Sequence, residues 1–369
     1  MTQPDLRARY VEQIRRDGAP MSDQLAAAFA AVPREVFVTD GFQRRNGGWV
    51  NPGDRDFLPT VYSDDVLVTK IDGRIPVSSS SQPSLMAIML GTLEMRPGVR
   101  VLEIGAGTGY NAALMATMGA EVTTVDVQGD VAAHARSALA EAGIEGVRVV
   151  HGDGYAGAPE GRFDRVIVTV GVAGLSPHWL EQLDPGGVIV APVEHAGTHP
   201  VLAARGPADG PVTGAVICPS GFMSATGPLT ARHPYAHPDP APAGTLTDFA
   251  PVAGPRWKRP LGSLTYRDLW YAAGVWHRRA THAGLPGHEQ SVLVLLDESQ
   301  TGGAAILPDG SIVAGGDHAD RYAHDAADIV ERWESAGRPP MQAWHVTLAR
   351  TGRPDAPIWV PANWQLAAM

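Results

Sequence analysis

The sequence predicts an α/β fold: a parallel sheet with helices on both faces, a helical N-terminal extension and a smaller α+β unit at the C-terminal end. Three observations carry that prediction. Between Val99 and Ala191, short apolar runs alternate with helical segments, the pattern that places strands side by side in one direction. A glycine-rich turn, Gly105-Ala106-Gly107-Thr108-Gly109, joins the first of those runs to the helix that follows. The chain has 369 residues, too many for one ordinary domain and suited to two.

Leu6, Tyr10 and Ile14, then Leu25, Phe29 and Val32, recur at helical spacing, so residues 5–38 read as helices, with Ser22 and Asp23 as candidate caps. Residues 40–77 are rich in Gly, Pro and Asp and read as irregular chain. Ser78 to Ser81 then lead into Gln82-Pro83. Pro83 suits the first turn of a helix, where its missing N–H costs nothing. Strands are expected from Val99 to Ile104, Glu121 to Asp126, Val147 to Val150, Arg165 to Val170 and Val188 to Ala191. Helices are expected from Tyr110 to Met118, Asp130 to Ala142 and Pro177 to Leu183. Val201 to Ala204 and Gly214 to Ile217 read as antiparallel strands added at the sheet edge. Prolines cluster over 230–262, which reads as a linker or arm. Beyond it come a helix (Tyr266 to His277), a strand (Ser291 to Leu296), a hairpin about Pro308-Asp309-Gly310, a helix (Tyr322 to Ser335) and a strand (Met341 to Leu348). The expected division is therefore 1–229, 230–262 and 263–369.

Composition removes several functions. A net charge of −10 argues against nucleic acid as the main partner, which needs a clustered basic surface. No apolar run approaches the ~20 residues that span a membrane, and the first residues lack a secretory pattern. A cytoplasmic protein is the expectation. The single cysteine, Cys218, excludes an intrachain disulfide and a cysteine-based zinc site, and no metal is expected.

The chemistry concentrates at strand ends. In Glu103-Ile104-Gly105-Ala106-Gly107-Thr108-Gly109-Tyr110, glycines let the backbone approach a ligand at the carboxyl end of the first strand. Tyr110 stands where a dinucleotide fingerprint wants glycine, which disfavours a pyrophosphate cradle. Glu103 suits a cationic ligand. Asp126 ends the next strand and can accept two hydrogen bonds from a ribose diol. Asp153, in Gly152-Asp153-Gly154, suits an adenine amino group. This order matches a site for S-adenosylmethionine, with S-adenosylhomocysteine as its product.

Five segments extend the match. Ala31-Val32-Pro33-Arg34-Glu35-Val36-Phe37-Val38, Val61-Tyr62-Ser63-Asp64-Asp65, Ser80-Ser81-Gln82-Pro83 with Ala87 and Met89, Phe163 to Thr169, and Leu183 to Val193 resemble signatures of the protein-L-isoaspartate O-methyltransferase family. The resemblance implies a Rossmann-like class I methyltransferase domain that methylates a peptide carboxylate. It implies Ser81 as the catalytic hydroxyl on the acceptor carboxylate, with Ser80 beside it. It further implies Glu103, Gly105, Gly107, Thr108, Gly109, Tyr110, Asp126, Val127, Asp153 and Gly154 around the cofactor. Ser79, Gln82, Val170 and Gly171 fall on the substrate side.

Repair enzymes of this family are expected to end soon after the position of Leu229, whereas this chain continues to Met369. That surplus, with its tryptophans and tyrosines, resembles a long form that tailors ribosomally made, modified peptides such as graspetides, lanthipeptides and lasso peptides. There an Asp side chain is methylated, leading to aspartimide. The expected partner is then a modified, macrocyclic peptide, met by residues 263–369 as a recognition domain. Protein repair of L-isoaspartate is the other enzymatic reading, and a non-catalytic binding module a third. Monomer and homodimer stay open.

Overall fold

In the computed structural model, residues 3–16, 21–44, 47–207, 210–231, 248–298 and 300–367 are described. β-Branched and aliphatic residues build the central layer. Arg100–Ile104 pairs in parallel with Glu121–Asp126 on one side and Phe163–Val168 on the other. Val147–His151 and Leu183–Pro192 add outward, again in parallel. Chain order therefore reverses beside Arg100–Ile104, the place where open α/β sheets bind ligands beyond their strand ends. The sheet then continues antiparallel through Val201–Arg205, Val212–Cys218, Trp344–Arg353 and Ala356–Leu366, for nine strands in all.

Successive side chains alternate across this layer. Val166 and Val168 enter a core shared with Tyr266, Trp270, Trp333 and Trp344. Ile167 enters another, built from Tyr10, Phe29, Met86, Leu90 and Tyr110. The helices Gln3–Arg16 and Asp23–Ala31 supply that second core, and Ser22 caps the latter through the N–H of Leu25. Each such large side chain contributes about 1.5–3 kcal/mol by leaving water.

Three expectations change. Residues 40–77 are not wholly irregular. Leu67–Asp72 and Ile75–Ser80 form a hairpin in a four-stranded sheet, turning at Gly73-Arg74. Gly73, at φ +61°, takes the first position of that two-residue turn, a signal present in the sequence as Gly-X between extended runs. The strands at 201–205 and 212–218 are antiparallel as expected but do not form the edge, because two C-terminal strands lie beyond them. Those two strands, 344–353 and 356–366, bond to the central sheet, so a boundary at residue 263 does not separate the hydrogen-bonded layers.

The rest of the C-terminal unit is a five-stranded antiparallel sheet with the helices Ser263–Trp276 and Ala319–Ser335. Its hairpin, Gly303–Ile306 with Ile312–Gly315, turns at the expected Pro308-Asp309-Gly310. Of the proline-rich stretch, residues 232–247 lie outside the described residues, while Ala250–Ala253 is an edge strand on Ile312–Gly315. Trp270, Trp333 and Trp344 are buried, so much of the aromatic surplus is core. Among the described residues, no helix is long and apolar enough to cross a membrane.

Candidate active site

Beyond the carboxyl ends of the central strands lies a cavity of about 900 Å³, in the range for small-ligand sites. The glycine turn forms its floor. Gly105 has φ +96°, and a Cβ there would lie 2.8 Å from Thr169 Oγ1, so no larger residue fits without displacement. Thr169 in turn donates from that hydroxyl to the carbonyl of Gly105 at 2.6 Å. Gly107 packs against the carbonyl of Ser79, joining the turn to the hairpin strand. Thr108 lines the cavity, whereas Gly109, expected there, does not and serves as the N-cap of the helix Tyr110–Thr117.

Glu103 is fully buried. One carboxylate oxygen accepts from Asn111 Nδ2 at 2.7 Å, but among the described residues Oε2 and Asn111 Oδ1 have no hydrogen-bond partner. Burial lifts its acid dissociation to about 7, opposed by the Asn111 side chain and by the nearby Thr124 hydroxyl. Two orphaned acceptors beside a desolvated carboxyl are costly alone and are satisfied by a cationic N–H donor. An α-ammonium group has that chemistry, so the residues present fit the amino-acid end of S-adenosylmethionine. Asp126 accepts from the N–H of Gly107 (3.1 Å) and of Gln128 (2.9 Å), and burial raises its acid dissociation. Each carboxylate oxygen keeps a further lone pair for a diol. Val127 is exposed beside it. Asp153 caps the turn Gly154–Ala156 through the N–H of Tyr155 and still lines the cavity. A Cβ on Gly154 would strike Ile104 at 2.7 Å.

Not every expected residue presents its side chain there. Tyr110 lines the cavity at its helix start, but its ring is buried among Phe29, Phe37 and Tyr10. Ser80 is turned inward, its Oγ accepting from Arg34 Nε at 3.2 Å, because strand alternation sends Ser78 and Ser80 to the buried side. Gly171 lines neither large cavity. It exchanges backbone hydrogen bonds with Met223 and Ala225 and so fixes that segment. Val170 lines the cavity directly. Gln82 donates to Asp64, which also receives the N–H and hydroxyl of Ser84. Asp64 thus satisfies an N–H at the start of the helix Pro83–Thr92.

A wider groove of about 2300 Å³ adjoins the first cavity. Ser79, Ser81, Phe222, Met223 and Ser224 line both, so Ser81 stands at the junction. Across the groove lie Arg267, Trp270, Tyr271 and His282 of the C-terminal unit. Sequence reasoning missed the wall at 222–224, the Thr169 hydroxyl, Asn111 and the anchors Arg34 and Asp64. The last two lie inside segments that the family resemblance had already marked.

Comparison with known proteins agrees with this geometry. The family model described as Protein-L-isoaspartate(D-aspartate) O-methyltransferase (PCMT) matches residues 6–227. Protein-L-isoaspartate O-methyltransferase of Thermotoga maritima is 40% identical over 177 residues, 47% of this chain and 51% of that protein. The match thus spans about half the length of that relative. The enzyme of the same name from Methanoculleus marisnigri is 36% identical over 185 residues, covering 49% of this chain and 73% of its own. A solved structure titled protein-L-isoaspartate O-methyltransferase superposes with a TM-score of 0.55 and 26% identity over 96% of this chain and 98% of its own. A protein of that name therefore carries a chain of this extent, and the length beyond Leu229 does not by itself separate tailoring from repair. The architecture is that of class I S-adenosylmethionine-dependent methyltransferases, and the chain belongs to the protein-L-isoaspartate(D-aspartate) O-methyltransferase family.

Proposed function

We propose that this protein is an S-adenosylmethionine-dependent carboxyl O-methyltransferase whose acceptor is an L-isoaspartyl residue of a peptide or protein. The observation that carries the reading is the junction at Ser81. It joins a cavity fitted to an amino acid and a nucleoside to a groove wide enough for a peptide. The names of the relatives favour isoaspartate over an ordinary Asp.

The proposed chemistry asks little of acid–base groups. An acceptor carboxylate is already ionised at neutral pH, so orientation and exclusion of water dominate. When bound, S-adenosylmethionine supplies an electrophilic methyl group on a sulfonium. Glu103 and Asn111 would hold its ammonium group, Asp126 its ribose and Asp153 its adenine. The Ser81 hydroxyl would donate to one acceptor oxygen and leave the other directed at the cofactor cavity. The hairpin 67–80 and the segment 222–224 would keep water from the junction. Residues 263–369, in this reading, recognise the peptide across the groove.

Methyl transfer from labelled cofactor to an isoaspartyl peptide, to its Asp isomer and to a crosslinked Asp peptide tests the proposal. Methylation of the isoaspartyl peptide is expected. Transfer to the crosslinked Asp peptide alone would replace this reading with peptide tailoring towards aspartimide. Ser81→Ala is expected to lower kcat by about a hundredfold while S-adenosylhomocysteine binding is retained.

A further inference from the structure

Arg34 stands out among the residues left without a role. Its side chain is completely buried, yet among the described residues it forms no ion pair with a carboxylate. Burying a charge is costly unless its donors are met, and here they are met by carbonyls. Nη1 donates to the carbonyls of Val61 (2.9 Å) and Ser63 (3.2 Å). Nη2 reaches those of Asp65 (3.1 Å), Ser81 (3.0 Å) and Ser80 (3.4 Å), and Nε donates to Ser80 Oγ. The guanidinium also lies about the rings of Tyr10 and Tyr110, 6.0 and 5.7 Å from their centroids.

These contacts converge on two segments that frame the junction. Carbonyls 80 and 81 belong to the chain that leaves the hairpin and enters the helix Pro83–Thr92. Carbonyls 61, 63 and 65 flank Asp64, whose carboxylate clamps Gln82 and Ser84. Ser81 follows the last ladder pair of the hairpin, Leu67 with Ser80, and residues 62–66 run between the helix Phe57–Val61 and the strand Leu67–Asp72, so the inward carbonyls at these ends need donors from a side chain. A planar guanidinium with five N–H groups can serve several at once, whereas an ammonium has three. With the Ser81 carbonyl drawn inward, the path of the backbone sets where its side chain meets the two cavities.

We propose that Arg34 is a positioning residue for the acceptor side of the site, holding Ser81 at the junction through the backbone of residues 80–81 and through the Asp64 clamp. The turnover part of its test rests on the carboxyl-methylation reading, and the exchange part does not. In Arg34→Lys, kcat is expected to fall by about a hundredfold, with the dissociation constant of S-adenosylhomocysteine within about threefold of the parent. Amide hydrogen exchange is expected to accelerate in segments 61–66 and 79–85 and to stay unchanged in the glycine turn. Parental kcat in Arg34→Lys overturns the proposal. So does loss of cofactor binding in proportion to turnover, or exchange that rises evenly along the chain. If the parent protein methylates none of the acceptors, exchange alone decides: acceleration confined to the two segments upholds the positioning role, and unchanged exchange rejects it. Should Arg34→Lys fail to fold, Ser80→Ala, which removes only the Nε acceptor, takes its place, with an expected loss in kcat of about tenfold and the same exchange pattern.

Discussion

Glu103 is the residue whose chemistry is least settled by the fold alone. Its ordinary acid dissociation at 4.5 rises to about 7 because burial disfavours the anion. Between those values the folded, ligand-free chain keeps a proton that the unfolded chain has released. Glu103 therefore costs stability progressively as pH rises from about 4.5 to about 7. A bound ammonium favours the carboxylate and reverses that preference. S-adenosylhomocysteine is thus expected to bind more tightly as pH rises towards 7, by up to about tenfold per unit. Glu103→Gln should weaken binding and flatten the slope. Calorimetric titrations at several pH values check both, and a flat profile in the parent protein would reject the assigned contact.

At the level of elements, the hairpin 67–80 is the part that couples the two cavities. Lys70, one of two lysines in the chain, reaches Asp130 at 2.6 Å and Gln128 at 2.8 Å from the hairpin. Gln128 donates to the carbonyl of Val77 at 2.8 Å, so the turn after Asp126 is bonded to both hairpin strands. The Lys70–Asp130 pair is exposed and contributes little to global stability, about 1 kcal/mol or less. Its expected effect is local. Lys70→Ala should leave the melting temperature nearly unchanged and quicken release of S-adenosylhomocysteine. Adding Gln128→Ala to Lys70→Ala, which cuts the link to Val77 as well, should quicken it further. Displacement kinetics measured by stopped flow distinguish this from a hairpin that plays no part in cofactor retention.

Across the whole molecule, the two C-terminal strands tie the last quarter of the chain to the central sheet. Val346 is buried between Val212–Cys218 and Ala356–Leu366. A carboxylate at that position would be desolvated within the apolar core that includes Trp270 and Trp344. Val346→Asp is expected to destabilise the protein by about 3 kcal/mol or more in a single unfolding transition that also removes cofactor binding. Two separate transitions, with cofactor binding kept through the first, would show that the shared sheet does not make one cooperative unit.

The parallel strands, the glycine turn and the order Glu103, Asp126, Asp153 were legible in the sequence, because each depends on local periodicity or on a backbone that only glycine tolerates. The same local reading misjudged Ser80, since which serine of a run faces inward depends on strand register against Leu67–Asp72. It passed over Arg34 and Asp64 because their partners lie about 20 to 50 positions away along the chain. It also treated the surplus as a separate unit, whereas two of its strands pair with residues more than a hundred positions earlier or with each other. Sequence alone thus determined the fold class, the glycine turn at the strand ends and the family resemblance. Tertiary structure decided which side chains meet at Ser81 and that the C-terminal unit walls the groove, because pairing between distant segments leaves no period in the sequence.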